Sequence, residues 1–334
     1  MTARLLLGTA SWTDRPLIDS GRFYPPAARS AEQRLRYYAT QFPLVEVDAT
    51  YYGLPTVENA QRWVERTPPG FTFDVKAYSL FTNHPTPVAR LPKAIKELLP
   101  PALAAARNLE RERTPPALVD LCWSTYIDAL QPLYAAGRLG VVVLQFPRWF
   151  MPSRPSHAYL EELRDRLGPY RGAVEFRNAA WLDATHAEDT LALLGDLGFS
   201  YICVDEPQGF ASSVPPVAAA TARAGFVRFH GRNAAMWEAR TETSAQRFDY
   251  DYADAELDEW VPKIAALAAE TDELHLVMNT NNFDQGPANA RRLHARLGAA
   301  GVPVLGSTVA PPAGRPAPPP EPVAAPDARQ GQLL

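Results

Sequence analysis

The feature that most constrains this chain is a regular alternation of short β-like runs with helix-like segments. Eight runs have the length and apolar content of buried strands: "RLLLGTASW", "LVEVDATYY", "FTFDVKAYS", "GVVVLQFP", "GAVEFRN", "YICVDE", "FVRFHGRN" and "LHLVMNTN". Strands that alternate with helices lie parallel in one sheet, because each helix returns the chain to the same edge. Eight such units are the number that closes a barrel.

We therefore predict an α/β fold, a parallel eight-stranded (β/α)8 TIM barrel. An open doubly wound sheet is the alternative, but "GTASWTD" after the first strand has a single glycine and no phosphate-binding turn. Residues 92–137 exceed the length of one crossover and predict extra helices. The connection "PQGFASSVPPVAAATARAG" after the sixth run shows no convincing full helix.

A change in composition marks the end of the folded body. From residue 310 the chain reads "APPAGRPAPPPEPVAAPDARQGQLL". Repeated proline removes backbone donors, and few apolar groups remain to offset chain entropy. We therefore predict one barrel domain over residues 1–309 and a disordered tail rich in proline and alanine over residues 310–334.

The composition argues against several classes of protein. The 334 residues are 46% apolar and 21% charged, which is ordinary for a globular chain. A net charge of -4 and a pI of about 5.9 give no general attraction for nucleic acid or an anionic membrane. No apolar stretch has the length of a signal peptide or membrane span, so we predict a cytoplasmic protein without membrane contact. The two cysteines form no CxxC pair, which disfavours a disulfide framework.

Polar residues collect on one face at the end of each predicted strand, where the chemistry of such barrels is found. Alternate residues of a strand share a face. The polar face contains Thr9 and Ser11, Glu46, Asp48 and Thr50, Asp74 and Lys76, Gln145, Glu175 and Arg177, Asp205, Arg228 and His230, and Asn279. Because their neighbours are apolar and suit contact with helices, we predict that the polar set points into the barrel.

The charges of this interior set nearly balance, with five carboxylates against three fixed cations. Buried charges persist only in a hydrogen-bonded network or around a ligand. A network without chemistry is one interpretation. In the other, Glu175 and His230 act as a general acid–base pair, while Lys76 and Arg228 hold an anion or stabilise developing negative charge.

Motifs for metals and cofactors are missing from the sequence. His84, His186 and His230 follow different strands, and no HxH or HExxH pair occurs. We therefore predict no metal and no cofactor.

Aromatic residues form a predicted rim around the barrel mouth, suited to stacking on sugars or bases or to burial under loops. They are Trp12, Phe23, Tyr24, Tyr51, Tyr52, Phe81, Trp149, Phe150, Trp181 and Trp237. The long segment 232–253 is a candidate lid.

Taken together, these stretches resemble the YecE-like family, known as domain of unknown function 72. The motifs that carry the resemblance are "GTASW", "FYP", "LRYYATQFPLVEVDATYYGLP", "TPPGFTFDVKA", "LQFP", "VEFRN", "FVRFHGR" and "NNFDQGPANA". The resemblance covers nearly all of residues 5–300. It implies a TIM barrel similar in shape to the xylose isomerase and endonuclease IV branch, with no established activity.

The resemblance also implies a set of site residues. They are Glu46, Thr50, Tyr51, Lys76, His84, Gln145, Glu175, Arg177, Trp181, Asp205, Arg228, His230 and Gly231. The chain departs from the family pattern in two places. Asn178 replaces the usual histidine of the EFRH motif. The stretch "MNTNNFDQG" replaces the FNND-like ending of the family, so either Asn279 or the Asn281–Asn282 pair corresponds to the site residues of that ending. The chain also lacks the histidine array of endonuclease IV-like enzymes.

Three functions follow from these patterns. The leading hypothesis is a metal-independent enzyme acting on a small polar substrate, phosphorylated or sugar-like, with Trp181 and Tyr51 as a stacking wall and Asp48 among the binding residues. The second is a nucleic-acid-binding or DNA-repair protein, which the acidic pI disfavours. The third is a non-catalytic ligand sensor or scaffold whose tail binds a protein partner of unknown identity.

Overall fold

Eight parallel strands close into a barrel, as the alternation predicts. The computed structural model describes residues 3–241 and 243–305, so the predicted tail lies outside the described residues. The strands in this part of the chain are β1 (Arg4–Ala10), β2 (Leu44–Val47), β3 (Thr72–Lys76), β4 (Thr86–Pro87), β5 (Asn108–Leu109), β6 (Leu139–Gln145), β7 (Gly172–Glu175), β8 (Ser200–Asp205), β9 (Ala224–Phe229) and β10 (Glu273–Met278).

Each barrel strand pairs in parallel with both of its neighbours. The order around the barrel is β1, β10, β9, β8, β7, β6, β3, β2. The short strands β4 and β5 form a separate antiparallel pair within the connection from β3 to β6. The barrel is therefore built from the eight runs recognised in the sequence.

Helices surround the barrel. Those in the described residues are α1 (Arg15–Asp19), α2 (Ala31–Gln41), α3 (Ala49–Tyr52), α4 (Val57–Glu65), α5 (Lys93–Lys96), α6 (Pro101–Ala104), α7 (Pro116–Ala135), α8 (Arg154–Leu167), α9 (Ala187–Asp196), α10 (Ala234–Trp237), α11 (Ser244–Arg247), α12 (Asp254–Asp258), α13 (Val261–Glu270) and α14 (Gln285–Ala299). The extra helices predicted for 92–137 are confirmed as α5 to α7. Residues 206–223, between β8 and β9, contain no helix, as predicted.

Local chemistry explains several helix ends. Ser30 accepts a hydrogen bond from the backbone N–H of Gln33, whose side chain accepts from the N–H of Ser30, and this capping box starts α2. Helix α8 ends at Gly168, whose φ of 55° lies in the region that favours glycine. Among the helices that the structure describes, none is both long and apolar enough to cross a membrane.

An ion triad fills the barrel interior nearer the start of the strands. His275 on β10 lies between Asp74, 2.8 Å from its Nδ1, and Glu273, 2.7 Å from its Nε2. Burial opposes the charged ring, but the two carboxylates outweigh it and raise the pKa of His275 to about 9. Gly140 is required here, because a Cβ atom at this position would lie 2.2 Å from the Asp74 carboxylate.

Candidate functional site

A buried ion network lies at the mouth of the barrel. Arg228 on β9 donates from Nη1 to Glu175 on β7 (2.7 Å) and from Nη2 to Glu46 on β2 (2.5 Å). Other strands separate β2, β7 and β9 around the barrel, so these contacts cross its interior. The predicted inward direction of the three side chains is confirmed.

The end of β8 has the opposite orientation from the one predicted. Asp205 pairs with Phe229, the residue after inward-facing Arg228. Asp205 therefore faces the helices, where it accepts hydrogen bonds from Tyr252 Oη (2.7 Å) and Trp260 Nε1 (2.6 Å). The prediction that Asp205 points into the barrel is wrong, because pairing with β9 sets the direction of each side chain.

Glu206, one residue further, takes the inward position and was missed by sequence inspection. Its Oε2 atom lies 3.2 Å from Nη1 of Arg177, and its Oε1 atom accepts the N–H of Val214 (2.8 Å). Burial, with the charge of Glu175, outweighs Arg177 and raises the pKa of Glu206 to about 8. Glu206 is therefore a neutral acid at pH 7. Glu206 directly follows Asp205 in "YICVDE", but the apolar run alone does not show which of the two side chains faces inward.

The variant Glu206→Gln should show a flatter dependence of stability on pH. This carboxyl group ionises near its ordinary pKa of 4.5 in the unfolded chain but keeps its proton to about pH 8 in the fold. The stability that this proton contributes is complete below pH 4.5 and is lost as pH rises through 8. Because glutamine imitates the neutral acid, we expect the variant to lose about 2–4 kcal/mol less stability than the wild type between pH 5 and pH 8.

Urea unfolding at pH 5 and pH 8 measures this difference. Glu188→Gln, which changes an exposed carboxylate of α9, is the control and should leave the wild-type pH slope unchanged. Equal pH slopes for Glu206→Gln and the wild type would show that Glu206 is ionised in the fold.

Glu175 is a fixed anion. Its Oε1 atom accepts hydrogen bonds from Gln145 (2.6 Å) and Arg177 (2.6 Å). Further contacts are Nε2 of His230, 3.0 Å from Oε1, and Nη1 of Arg228, 2.7 Å from Oε2. Although burial favours the neutral form, Arg177 and Arg228 hold the pKa of Glu175 well below its usual range. The carboxylate is therefore an anchor for the surrounding cations.

His230 is held as a neutral ring. A carboxylate only accepts, so Nε2 carries the proton that points at Glu175, and Nδ1 accepts from Nδ2 of Asn279 at 2.9 Å. Burial, with the charge of Arg177, outweighs Glu175 and lowers the pKa of His230 to about 3. The side chains of His230 and Glu175 have no exposed surface. The geometry therefore does not support their predicted roles as an acid–base pair in contact with substrate.

A different carboxyl pair is arranged to share a proton. Glu46 Oε2 and Asp48 Oδ1 are buried acceptors without a close hydrogen-bond partner among the described residues, and Lys76 Nζ lies 3.4 Å from Asp48 Oδ1. Burial, with the charge of Asp48, outweighs Arg228 and raises the pKa of Glu46 well above its usual range. Burial opposes ionisation of Asp48 as well, but Lys76 and Arg228 hold the pKa of Asp48 below its ordinary value. A proton on Glu46 directed at Asp48 pairs both acceptors and leaves Asp48 ionised.

An open cavity of about 580 Å³ lies at the mouth, over this network. Its described lining has two carboxylates, Asp48 and Glu238, and six cations: Lys76, Arg148, Arg177, Arg228, Arg240 and Arg247. Behind the wall, burial raises the pKa of Glu46 and of Glu206 above the ordinary value, whereas Glu175 is a fixed anion paired with Arg177 and Arg228. Even with Glu175 counted, six cations face three carboxylates. The cavity therefore attracts anions.

The structure brings many of the predicted site residues to this cavity. Those that line it are Asp48, Tyr51, Lys76, His84, Gln145, Arg177, Arg228, Asn279 and Asn281. Glu46, Glu175 and His230 lie behind the wall in the ion network. Thr50 is buried and donates to the backbone oxygen of Lys76 (2.6 Å), so it supports the lysine from behind.

Trp181 does not form the predicted stacking wall. Its indole is fully buried, stacks on Phe176 and Phe150 at 4.2 Å and 5.4 Å, and donates from Nε1 to the Phe150 oxygen (2.7 Å). A side chain without exposed surface cannot stack on a ligand. Asn282 likewise lies outside the cavity lining, whereas its neighbour Asn281 is part of it.

The aromatic rim divides into exposed and buried rings. Tyr51, Tyr52 and Trp149 keep accessible surface. The other rings are buried: Trp12, Phe23, Tyr24, Phe81, Phe150, Trp181 and Trp237. Part of segment 232–253 forms one wall of the cavity, but its movement as a lid stays a prediction.

Asp14 is a further acid at the mouth that sequence inspection missed. It follows the first strand in "GTASWTD", and that position was the available signal. Burial, with the charge of Asp48, raises the pKa of Asp14 to about 7. Among residues 3–241 and 243–305, no group of three or more His, Cys, Asp or Glu side chains is placed to hold a metal ion.

Comparisons with known proteins agree with this fold. The family model described as "Protein of unknown function DUF72" matches residues 6–315. The UPF0759 protein YunF of Bacillus subtilis is 28% identical over 293 residues, which cover 86% of this chain and 93% of YunF. A solved DUF72 family protein of Thermotoga maritima is 28% identical, with a TM-score of 0.69 and coverage of 88% of this chain and 99% of that protein.

A second solved DUF72 family protein, from Enterococcus faecalis, is 25% identical, with a TM-score of 0.69 and coverage of 88% of this chain and 95% of that protein. The family model and these relatives span most of the barrel described above. They confirm the resemblance carried by the sequence motifs, and the chain belongs to the DUF72 family of proteins of unknown function.

Proposed function

We propose that this protein is an enzyme that acts on a small phosphorylated substrate at the mouth of its barrel. The observation that carries the proposal is the charge of the cavity wall, where six cations face two carboxylates. Guanidinium and ammonium groups bind phosphate through short, charge-assisted hydrogen bonds. An uncharged sugar would leave this excess of positive charge without a counterpart.

The proton-sharing pair supports catalysis in addition to binding. Asp48 lines the cavity and is ionised, so it has both the access and the protonation state of a general base. Glu46, whose raised pKa favours the protonated form, lies behind it. Lys76, whose Nζ lies 3.4 Å from Asp48 Oδ1, is placed to stabilise negative charge that develops on the substrate.

The buried network supports the cations of the site. Glu175 pairs with both Arg177 and Arg228, and the Nε2–H group of His230 donates to the same carboxylate with 3.0 Å between Nε2 and Oε1. These contacts fix the direction of two guanidinium groups that line the cavity. We therefore assign Glu175 and His230 as positioning residues.

Removing two exposed cations of the wall should weaken anion binding. Arg148 and Arg240 are exposed and line the cavity. We expect the double variant Arg148→Ala, Arg240→Ala to raise the dissociation constants of inorganic phosphate and glucose 6-phosphate at least about tenfold, a loss of about 1.4 kcal/mol. Isothermal titration calorimetry at constant ionic strength measures the change.

The matched control is Arg223→Ala, at the other end of the barrel, where Arg223 pairs with exposed Asp272. This variant should bind both anions as the wild type does, because surface ion pairs contribute little. No phosphate binding by the wild type, or equal loss in both variants, would contradict the proposal.

Turnover separates an enzyme from a sensor. Asp48→Asn should bind phosphate at least as tightly as the wild type, because it removes a negative charge, yet it should lose hydrolysis or isomerisation of any sugar phosphate that the wild type converts. Binding without conversion of a broad panel of phosphate esters would favour the ligand sensor. Tight binding of single-stranded DNA with a steep salt dependence would favour the nucleic-acid-binding alternative.

A further inference from the structure

A second cavity of about 410 Å³ adjoins the cationic one. It lies among the segment after β3, residues 110–112, the loop after β6 and the start of α8. His84 and Trp149 line both cavities. The two spaces therefore share a wall, and one ligand that extends over this wall would occupy both.

The shared wall presents aromatic rings. Trp149 is 56% exposed, the largest exposed aromatic surface at the mouth. Its ring centre lies 6.0 Å from that of His84, which lies 5.2 Å from Tyr51 in the cationic cavity. Burial, with the charge of Lys76, lowers the pKa of His84 to about 4, so this ring is uncharged. A row of uncharged rings with one exposed indole suits a ligand with a flat face.

The charge of the second cavity differs from that of the first. Its described lining contains Glu110 and Glu112 but a single cation, Arg111. The Arg111 guanidinium lies 3.9 Å from the centre of the Tyr159 ring and donates from Nε to Asn83 (2.7 Å), so internal contacts hold it. This cavity does not suit a second phosphate. It suits an uncharged group with hydrogen-bond donors.

We infer that the ligand has two parts, a phosphate in the cationic cavity and an uncharged ring that stacks on Trp149 in the second cavity. This inference rests on the function proposed above and extends it to the class of substrate. Phosphorylated nucleosides and phosphorylated sugars share the required chemistry. In both, a phosphate is joined to a ring with a flat face and polar edges.

The test compares three probes, inorganic phosphate, adenosine monophosphate and glucose 6-phosphate, by calorimetry with the wild type and Trp149→Ala. We expect at least one ester to bind the wild type at least about tenfold more tightly than phosphate, because its ring adds stacking on the Trp149 indole. In Trp149→Ala, the ratio of the phosphate dissociation constant to that of the ester should fall at least about fivefold. The dissociation constant of phosphate itself should stay within about twofold of the wild-type value. Tighter binding of adenosine monophosphate than of phosphate identifies the uncharged ring as a nucleobase, and tighter binding of glucose 6-phosphate identifies it as a sugar.

Met151→Ala is the matched control, because Met151 is 53% exposed in the same loop but lies outside both cavity linings. It should bind all three probes as the wild type does. If phosphate binds but neither ester binds more tightly, the inference is overturned and the proposed function stands. The inference is also overturned if Trp149→Ala weakens the binding of phosphate and of the esters equally. It is overturned as well if Met151→Ala weakens ester binding as much as Trp149→Ala does. If none of the probes binds, the proposed function fails too.

Discussion

Replacing Arg228 by methionine is expected to lower the free energy of unfolding by about 3–5 kcal/mol. The guanidinium lies between Glu175 and Glu46, and all three side chains are buried. Its loss leaves the ionised Glu175 with one cationic partner fewer in a site that water does not reach. Urea unfolding at pH 7, followed by circular dichroism, measures the loss.

Two companion variants test the cause of this loss. Glu46→Gln should change the free energy of unfolding by less than about 1 kcal/mol, because the raised pKa of Glu46 favours its neutral form and glutamine is a near isostere of that form. Adding Glu175→Gln to Arg228→Met should restore part of the lost stability, because it removes the unpaired charge. A mild effect of Arg228→Met, or a Glu46→Gln variant that is just as unstable, would contradict the assigned protonation states.

Asp74→Asn is expected to lower the free energy of unfolding by about 3 kcal/mol near neutral pH. It removes the charge that faces His275, whose pKa is raised to about 9 by Asp74 first and by Glu273 second. The backbone N–H of Val141, 3.0 Å from Asp74 Oδ1, keeps an acceptor in asparagine. The loss of stability therefore measures the ion pair between Asp74 and His275.

The pH dependence gives this prediction a second readout. The stability contributed by protonated His275 is complete below its ordinary pKa of 6.5 and is lost as pH rises through 9. We expect the wild type to lose stability over this range and Asp74→Asn to lose less. NMR titration of His275 should show a lower pKa in the variant. Asp272→Asn, an exposed control, should leave that pKa unchanged, and an unchanged pKa in Asp74→Asn would contradict the triad.

The barrel could be predicted from the sequence because it depends on local signals and on the periodicity of apolar residues. Runs of apolar residues, the capping box at Ser30 and the glycine that ends α8 act over a few residues. Strand parity also placed Glu46, Glu175 and Arg228 inside the barrel. For Asp205 parity failed by one position, because the pairing of β8 with β9, and not the apolar run itself, decides which side chain points inward.

The roles of the polar residues depend on distances that only the folded chain supplies. Glu175 and Glu46 are the same residue type on the same face of their strands, yet the pKa of Glu175 is held well below its usual range and that of Glu46 is raised well above it. The difference is that Arg177 and Arg228 both contact Glu175, whereas Glu46 shares Arg228 and faces Asp48. Sequence alone determined many of the groups that meet at the mouth, although Glu206 and Asp14 were missed. The tertiary structure decided which of them hold protons and reach the cavity, because burial and the distance to neighbouring charges set both properties.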